Sequence, residues 1–143
     1  MSTDSKNFFY NLGRAFYNVD SYYREFARQK GISLTLLCVL YALNDGKLHT
    51  QIEISADWAL PKTTVNTVIK DIQQSGFIEL IPVKGKKREM YIILTESGKQ
   101  YADNLLSDIY KKEAEVYKQL CKEDREIVAL VEKIARKLKE DIE

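Results

Sequence analysis

Several things are scarce in this 143-residue chain, and each scarcity closes off a class of function. Histidine occurs once, at position 49, so neither a His-centred catalytic triad nor a zinc sensor has its parts, and no metal site is expected. The two cysteines, Cys38 and Cys121, are too few and too far apart for a disulfide framework or a thiol cluster, and a reduced cytoplasmic setting is expected. The six glycines are scattered and form no phosphate-cradling loop. With no paired carboxylates in an apolar context either, neither an enzyme nor a cofactor is expected. Net charge is nearly absent as well: 22 Lys and Arg stand against 21 Asp and Glu, so only the distribution of charge can speak for a polyanionic partner. Long apolar runs are missing too. The longest, Leu36 to Leu43, contains Tyr41 and is far short of a membrane span. The opening Met-Ser-Thr-Asp-Ser-Lys has no basic region followed by an apolar core, so no signal peptide is expected.

Apolar side chains, by contrast, are plentiful at 45%, with nine tyrosines and five phenylalanines, enough for a packed core. Between Asn7 and Lys30 the residues Phe9, Leu12, Phe16, Val19, Tyr23 and Phe26 recur at gaps of three and four, the seam of a helix that packs lengthwise on other helices. Gly31 stops it. Ser33 is placed to cap a second helix carrying Leu36, Leu37, Leu40 and Leu43, and Asn44-Asp45-Gly46 is a turn. Cys38, flanked by Leu37 and Val39 and with no cation nearby in sequence, reads as a small buried hydrophobe rather than a redox switch.

The middle of the chain holds the most specific pattern. Thr50-Gln51-Ile52-Glu53 has the form of a capping box opening a short helix to about Trp58. Ala59-Leu60-Pro61 forms the turn, and Pro61 suits the first position of the next helix because its missing N–H has no partner there. In that helix Val65, Val68, Ile69 and Ile72 fall on one face, and Ser75-Gly76 ends it. The opposite face is small and polar: Thr63, Thr64, Asn66, Thr67 and Lys70, with Lys62 at its start. Threonine methyls suit thymine methyls, asparagine suits adenine, and the lysines suit phosphates. Any solvated helix face has similar residue types, so the neighbouring segment decides. Phe77 to Val83 and Arg88 to Leu94 read as strands joined by a basic turn in which Lys84, Lys86, Lys87 and Arg88 put four positive charges within five residues. A helix-turn-helix followed by a charged hairpin places one device in a major groove and another along the backbone beside it.

Thr95 caps a long helix with Ala102, Leu105, Ile109, Val116 and Leu120 inward. After a break near Cys121 to Asp124 comes a last helix whose apolar stripe, from Ile127 to Ile142, is wider than one neighbour needs. This stripe and the aromatic N-terminal seam exceed what a lobe of about 70 residues covers, which argues for association of two copies.

The ordered set Thr50-Gln51-Ile52-Glu53-Ile54, Lys62-Thr63-Thr64-Val65, Gly76-Phe77-Ile78-Glu79 and Leu94-Thr95-Glu96-Ser97-Gly98 resembles the MarR family of winged helix-turn-helix transcriptional regulators along essentially the whole chain. The resemblance implies a mainly α fold with a small β-hairpin wing. Residues 1–32 would form an N-terminal dimerisation helix, 33–95 the DNA-binding lobe and 96–143 the C-terminal dimerisation helices. It also implies a homodimer binding a pseudo-palindrome in double-stranded DNA, usually as a repressor, with Arg88 reaching the minor groove. Family members commonly sense small aromatic compounds in a cleft beside the winged lobe; Phe16, Tyr17, Tyr23, Leu37 and Trp58 are the candidates for such a lining, with ordinary core packing as the competing role. Two residues depart from the pattern. Lys86 stands where an Asp usually ties down the wing arginine, which predicts a more mobile wing, and Pro61 replaces a small polar cap. The rival reading is a winged helix turned protein-interaction module without sequence-specific DNA binding.

Overall fold

The computed structural model describes residues 2–142. In chain order the elements are α1 (Thr3–Lys30), α2 (Leu34–Leu43), β1 (His49–Thr50), α3 (Gln51–Asp57), α4 (Lys62–Gln74), β2 (Ile78–Pro82), β3 (Met90–Leu94), α5 (Glu96–Lys118), α6 (Lys122–Arg125) and α7 (Ile127–Lys139). The expected fold class, mainly α with a small β-hairpin, is the one found. The chain divides into two compact units, Met1–Asn104 and Leu105–Glu143, with α5 running from one into the other.

In the first unit, α1 begins earlier than its apolar seam suggests because Ser2 caps it, its Oγ accepting the Ser5 N–H at 3.2 Å. It ends where Gly31 takes φ +69, a left-handed stop that costs other residues strain. Ser33 caps α2 as its position predicts. At α3 both halves of the capping box form: the Glu53 N–H donates to Thr50 Oγ1 at 3.2 Å, and the Thr50 N–H donates to Glu53 Oε2 at 3.3 Å.

Pro61 proves to be the N-cap of α4 rather than its first helical residue. Its φ of −61 fits either place, but here its carbonyl starts the helical ladder by accepting the Val65 N–H. The inward face of α4 follows its spacing: Val65, Val68, Ile69 and Ile72 are all buried, together with Val39, Leu43, Ile54, Ile78 and Ile92 from α2, α3 and the sheet. Removing apolar surface from water at about 25 cal/mol per Å² makes this cluster the main cohesive force of the lobe.

The sheet has three antiparallel strands in the order β1-β3-β2, not two. β2 and β3 pair from Ile78↔Leu94 to Pro82↔Met90, and β1 adds only His49↔Ile92 and Thr50↔Tyr91. The hairpin strands are shorter than their β-prone runs, because Phe77, Val83, Arg88 and Glu89 lie outside the paired ladder.

The start of α5 is stitched to the start of β2. Thr95 Oγ1 donates to the Gly76 carbonyl at 2.7 Å and accepts the Gly98 N–H at 3.1 Å, while the Thr95 N–H donates to the Phe77 carbonyl at 2.9 Å. The Phe77 and Tyr101 rings stack at 4.6 Å.

In the second unit, Leu106 and Ile109 are fully buried. The inward face expected of α5 is thus turned by one residue at Leu105, which is only half-buried, and Val116 and Leu120 are exposed. The helix ends at Lys118, three residues before the expected break at Cys121 to Asp124, and most of that stretch forms the single turn of α6. No residue of α7 is buried, although Ile127, Val128, Leu130 and Leu138 give it a continuous apolar face.

Candidate nucleic-acid interface

α3, the turn at Trp58–Leu60 and α4 form the helix-turn-helix. The turn is tight enough to force Ala59 to φ +50, the one non-glycine residue with positive φ among those described. With the apolar face of α4 anchored in the core, Lys62, Thr63, Thr64, Thr67 and Lys70 are exposed on the other side and Asn66 is half-buried. Two side chains are partly committed. The Thr67 hydroxyl donates to the Thr63 carbonyl at 3.1 Å, leaving its methyl and lone pairs for contacts. Asn66 Oδ1 accepts from Gln51 Nε2 at 3.4 Å, so α3 orients the amide whose NH2 group remains the donor toward a base.

Lys84, Lys86, Lys87 and Arg88 are all exposed on the loop between β2 and β3. Gly85, at φ +82, sits third in a turn closed by the Lys86 N–H donating to the Val83 carbonyl, the place where such turns need a glycine. The Val83 N–H in turn donates to the Glu89 carbonyl and closes the loop. The sequence predicts a loosely tied tip because Lys86 replaces the usual Asp. Glu89 supplies a carboxylate instead, 3.3 Å from the Lys86 ammonium, so the tie exists but holds Lys86 rather than Arg88. Lys62 and Arg88 both line a concavity of about 280 Å³ between α3, α4 and the sheet, with Thr50 and Glu89 also in its lining. Ser55 Oγ, buried at the floor of this concavity, has no hydrogen-bond partner.

No protein-family model matches the sequence, and no curated protein matches it. Solved structures do. NMB1585, a MarR family regulator from Neisseria meningitidis, is 26% identical and superposes with a TM-score of 0.80 over 92% of this chain and 94% of its own. The chain has the winged helix fold of the MarR family. Two further structures of this fold were solved with ligands of different kinds. Reduced AbfR bound to DNA is 23% identical, with a TM-score of 0.67 over 98% of this chain and all of the other. Staphylococcus aureus MarR in complex with salicylate and kanamycin is 19% identical, also at 0.67, over 94% and 91% of the two chains.

The residues singled out for a MarR-type ligand cleft divide into two groups. Tyr23, Leu37 and Trp58 line one cavity of about 370 Å³, together with Asp20, Leu34, Cys38, Tyr41 and Leu60. Phe16 and Tyr17 do not reach it: they lie nearer the start of α1 and are exposed. Asp20, Leu34, Cys38, Tyr41 and Leu60 are the members that spacing alone did not single out. Asp20 is hidden in the sequence because it is a charged residue set beside the aromatic seam, between Phe16 and Tyr23, and Tyr41 by its place in an apolar run. Cys38 is half-buried, and burial, then the charge of Asp20, pushes its thiol pKa up. That is the opposite of a thiol primed for oxidation. No three His, Cys, Asp or Glu side chains converge on a metal-sized site among the described residues, and no described helix is long and apolar enough to cross a membrane.

Proposed function

We propose that this protein is a transcriptional regulator, a repressor in its usual mode, that binds a pseudo-palindromic operator in double-stranded DNA as a homodimer. One observation carries the reading: the first residue of α4 and the wing arginine line the same concavity, with the threonine-rich face of α4 exposed beside it. Lys62, Thr63, Thr64, Asn66, Thr67 and Lys70 then contact the major groove and its phosphates, while Lys84, Lys86, Lys87 and Arg88 follow the backbone and the adjacent minor groove. Two copies set two such helices about one DNA turn apart. DNA bound to AbfR and salicylate bound to a MarR of the same fold support DNA and a small ligand as partners. In this reading the ligand occupies the cavity of Tyr23, Leu37 and Trp58. It acts by binding the DNA-competent and incompetent arrangements unequally, the one way a ligand can shift such an equilibrium.

Selection of bound fragments from random DNA, followed by a salt titration on the winner, tests the reading. The expected outcome is a two-fold symmetric site whose affinity falls steeply with salt, as counterion release requires. Arg88→Ala is expected to weaken binding by about tenfold or more, while Lys122→Ala, outside the proposed surface, leaves it nearly unchanged. Equal, weak binding to every sequence would instead favour a protein-interaction module.

A further inference from the structure

The cavity beside α1 has a charge character of its own. α1 contributes Asp20 and Tyr23, α2 contributes Cys38 and Tyr41, and the turn after α3 contributes Trp58. Among the described residues of the lining, Asp20 is the one charged side chain; no Lys, Arg or His faces the space. Its Oδ2 lies 2.7 Å from Arg24 Nε, but both side chains are about half exposed, so solvent screens the pair, and Arg24 is not part of the lining. The negative charge still reaches inward, since it adds to burial in raising the Cys38 thiol. The Tyr41 and Trp58 rings meet edge to face at 5.6 Å and 66°, giving the cavity two differently tilted aromatic walls. Aromatic faces attract cations through their quadrupole, and a nearby carboxylate adds to that attraction. An aromatic acid placed here would set its carboxylate near Asp20 with no cationic partner in the wall, an unfavourable arrangement.

We propose that this cavity takes a small organic cation, an ammonium group carried on an apolar or aromatic body, with the ammonium beside Asp20 and the body against the Tyr41 and Trp58 rings. The inference rests on the reading of this cavity as a ligand site. At about 370 Å³ the space falls in the lower part of the range for small-molecule pockets. The tilted rings receive the body, the carboxylate fixes the head group, and the absence of lining cations selects against anions.

Trp58 is the sole tryptophan of the chain, so its emission reports occupancy of the cavity directly. Three probes that differ only in head group, 3-phenylpropylammonium, 3-phenylpropanol and 3-phenylpropanoate, are titrated into the full-length protein at neutral pH, with calorimetry as the second readout. The ammonium is expected to bind about tenfold more tightly than the alcohol, and the propanoate most weakly. In Asp20→Asn the ammonium falls to the level of the alcohol, while the alcohol's own affinity stays within about twofold, a selectivity that general loosening of α1 cannot produce. Equal binding of all three, or preference for the propanoate, overturns the charge class and leaves the ligand site standing. No binding of any probe by either readout removes the ligand site and the inference with it.

Discussion

At the scale of single residues, Gly98 shows most sharply how sequence, packing and stability connect. It sits in the first turn of α5 against the backbone of Phe77, and a Cβ built there would lie 1.8 Å from the Phe77 carbonyl oxygen and 2.7 Å from its carbon. Neither atom belongs to a side chain that can swing away, so Gly98→Ala must push α5 off β2 and break the Thr95 bonds that join them. The expected cost is about 3 kcal/mol, or about 10 °C in melting temperature by calorimetry. Ser97→Ala, which loses the exposed hydrogen bonds of the hydroxyl with the Gly76 carbonyl and the Thr95 hydroxyl, should cost about 1 kcal/mol. The same contact explains why Gly76-Phe77 and Leu94-Thr95-Glu96-Ser97-Gly98 belong together in the sequence pattern. They are two sides of one junction. What spacing could not reveal at this scale is commitment between side chains: that Gln51 would hold Asn66, or that Glu89 would hold Lys86, depends on how α3 packs on α4 and how the wing turns.

At the scale of elements, the helices were legible because their signals are local: Ser33 and Thr50 cap where they stand, and Gly31 and Gly76 stop helices by their own positive φ. β1 was not legible. A two-residue strand has no periodicity, and its existence depends on β3, some forty residues later, offering an edge. The junction between α2 and α5 is another non-local feature, and it carries a pH dependence. Asp103 accepts hydrogen bonds from Asn44 Nδ2 and Lys99 Nζ, both at 3.0 Å, while Lys99 also donates to Asn44 Oδ1 at 2.6 Å. The Asn44 bond first, then that of Lys99, holds the Asp103 carboxyl below its usual pKa of 3.8. A carboxyl depressed in the folded state stabilises it above the ordinary pKa, and that contribution is lost as pH falls through the folded value. The wild-type melting temperature should therefore fall more steeply between about pH 5 and pH 3 than that of Asp103→Asn, whose amide has no proton to gain. Circular dichroism melts across that range check it; parallel curves would assign the acid sensitivity elsewhere.

At the scale of the whole molecule, the apolar faces left exposed among the described residues matter most. Along α1, Phe9, Phe16 and Val19 are exposed at 45%, 44% and 63%, and along α7, Ile127, Val128 and Leu130 exceed 50%. Scattered apolar residues on a surface need no explanation, but ordered stripes along two helices do. Both stripes were readable as more than a lobe of about 70 residues covers, because apolar periodicity is a property of the sequence; what covers them is not, since periodicity names no partner. If the homodimer proposed above covers them, each buried Val, Leu, Ile or Phe contributes about 1.5–3 kcal/mol, and a handful outweighs the entropy of association. The full-length protein should then run as a dimer in sedimentation equilibrium down to low micromolar concentration. Val128→Glu and Leu130→Glu together place two charges in the proposed interface, and each buried unpaired charge is strongly unfavourable. Dissociation should strengthen by about a hundredfold or more, while the helical signal of the monomer persists because neither residue is buried within its own chain. Operator binding then separates two cases. A monomer keeps one recognition helix and one wing, so it should retain the weak, salt-sensitive part of the affinity and lose the part that depends on engaging two half-sites at once. A double variant that stays dimeric would move the interface off α7, and a wild-type monomer would remove the fixed separation of the two helices on which two-fold symmetric recognition depends.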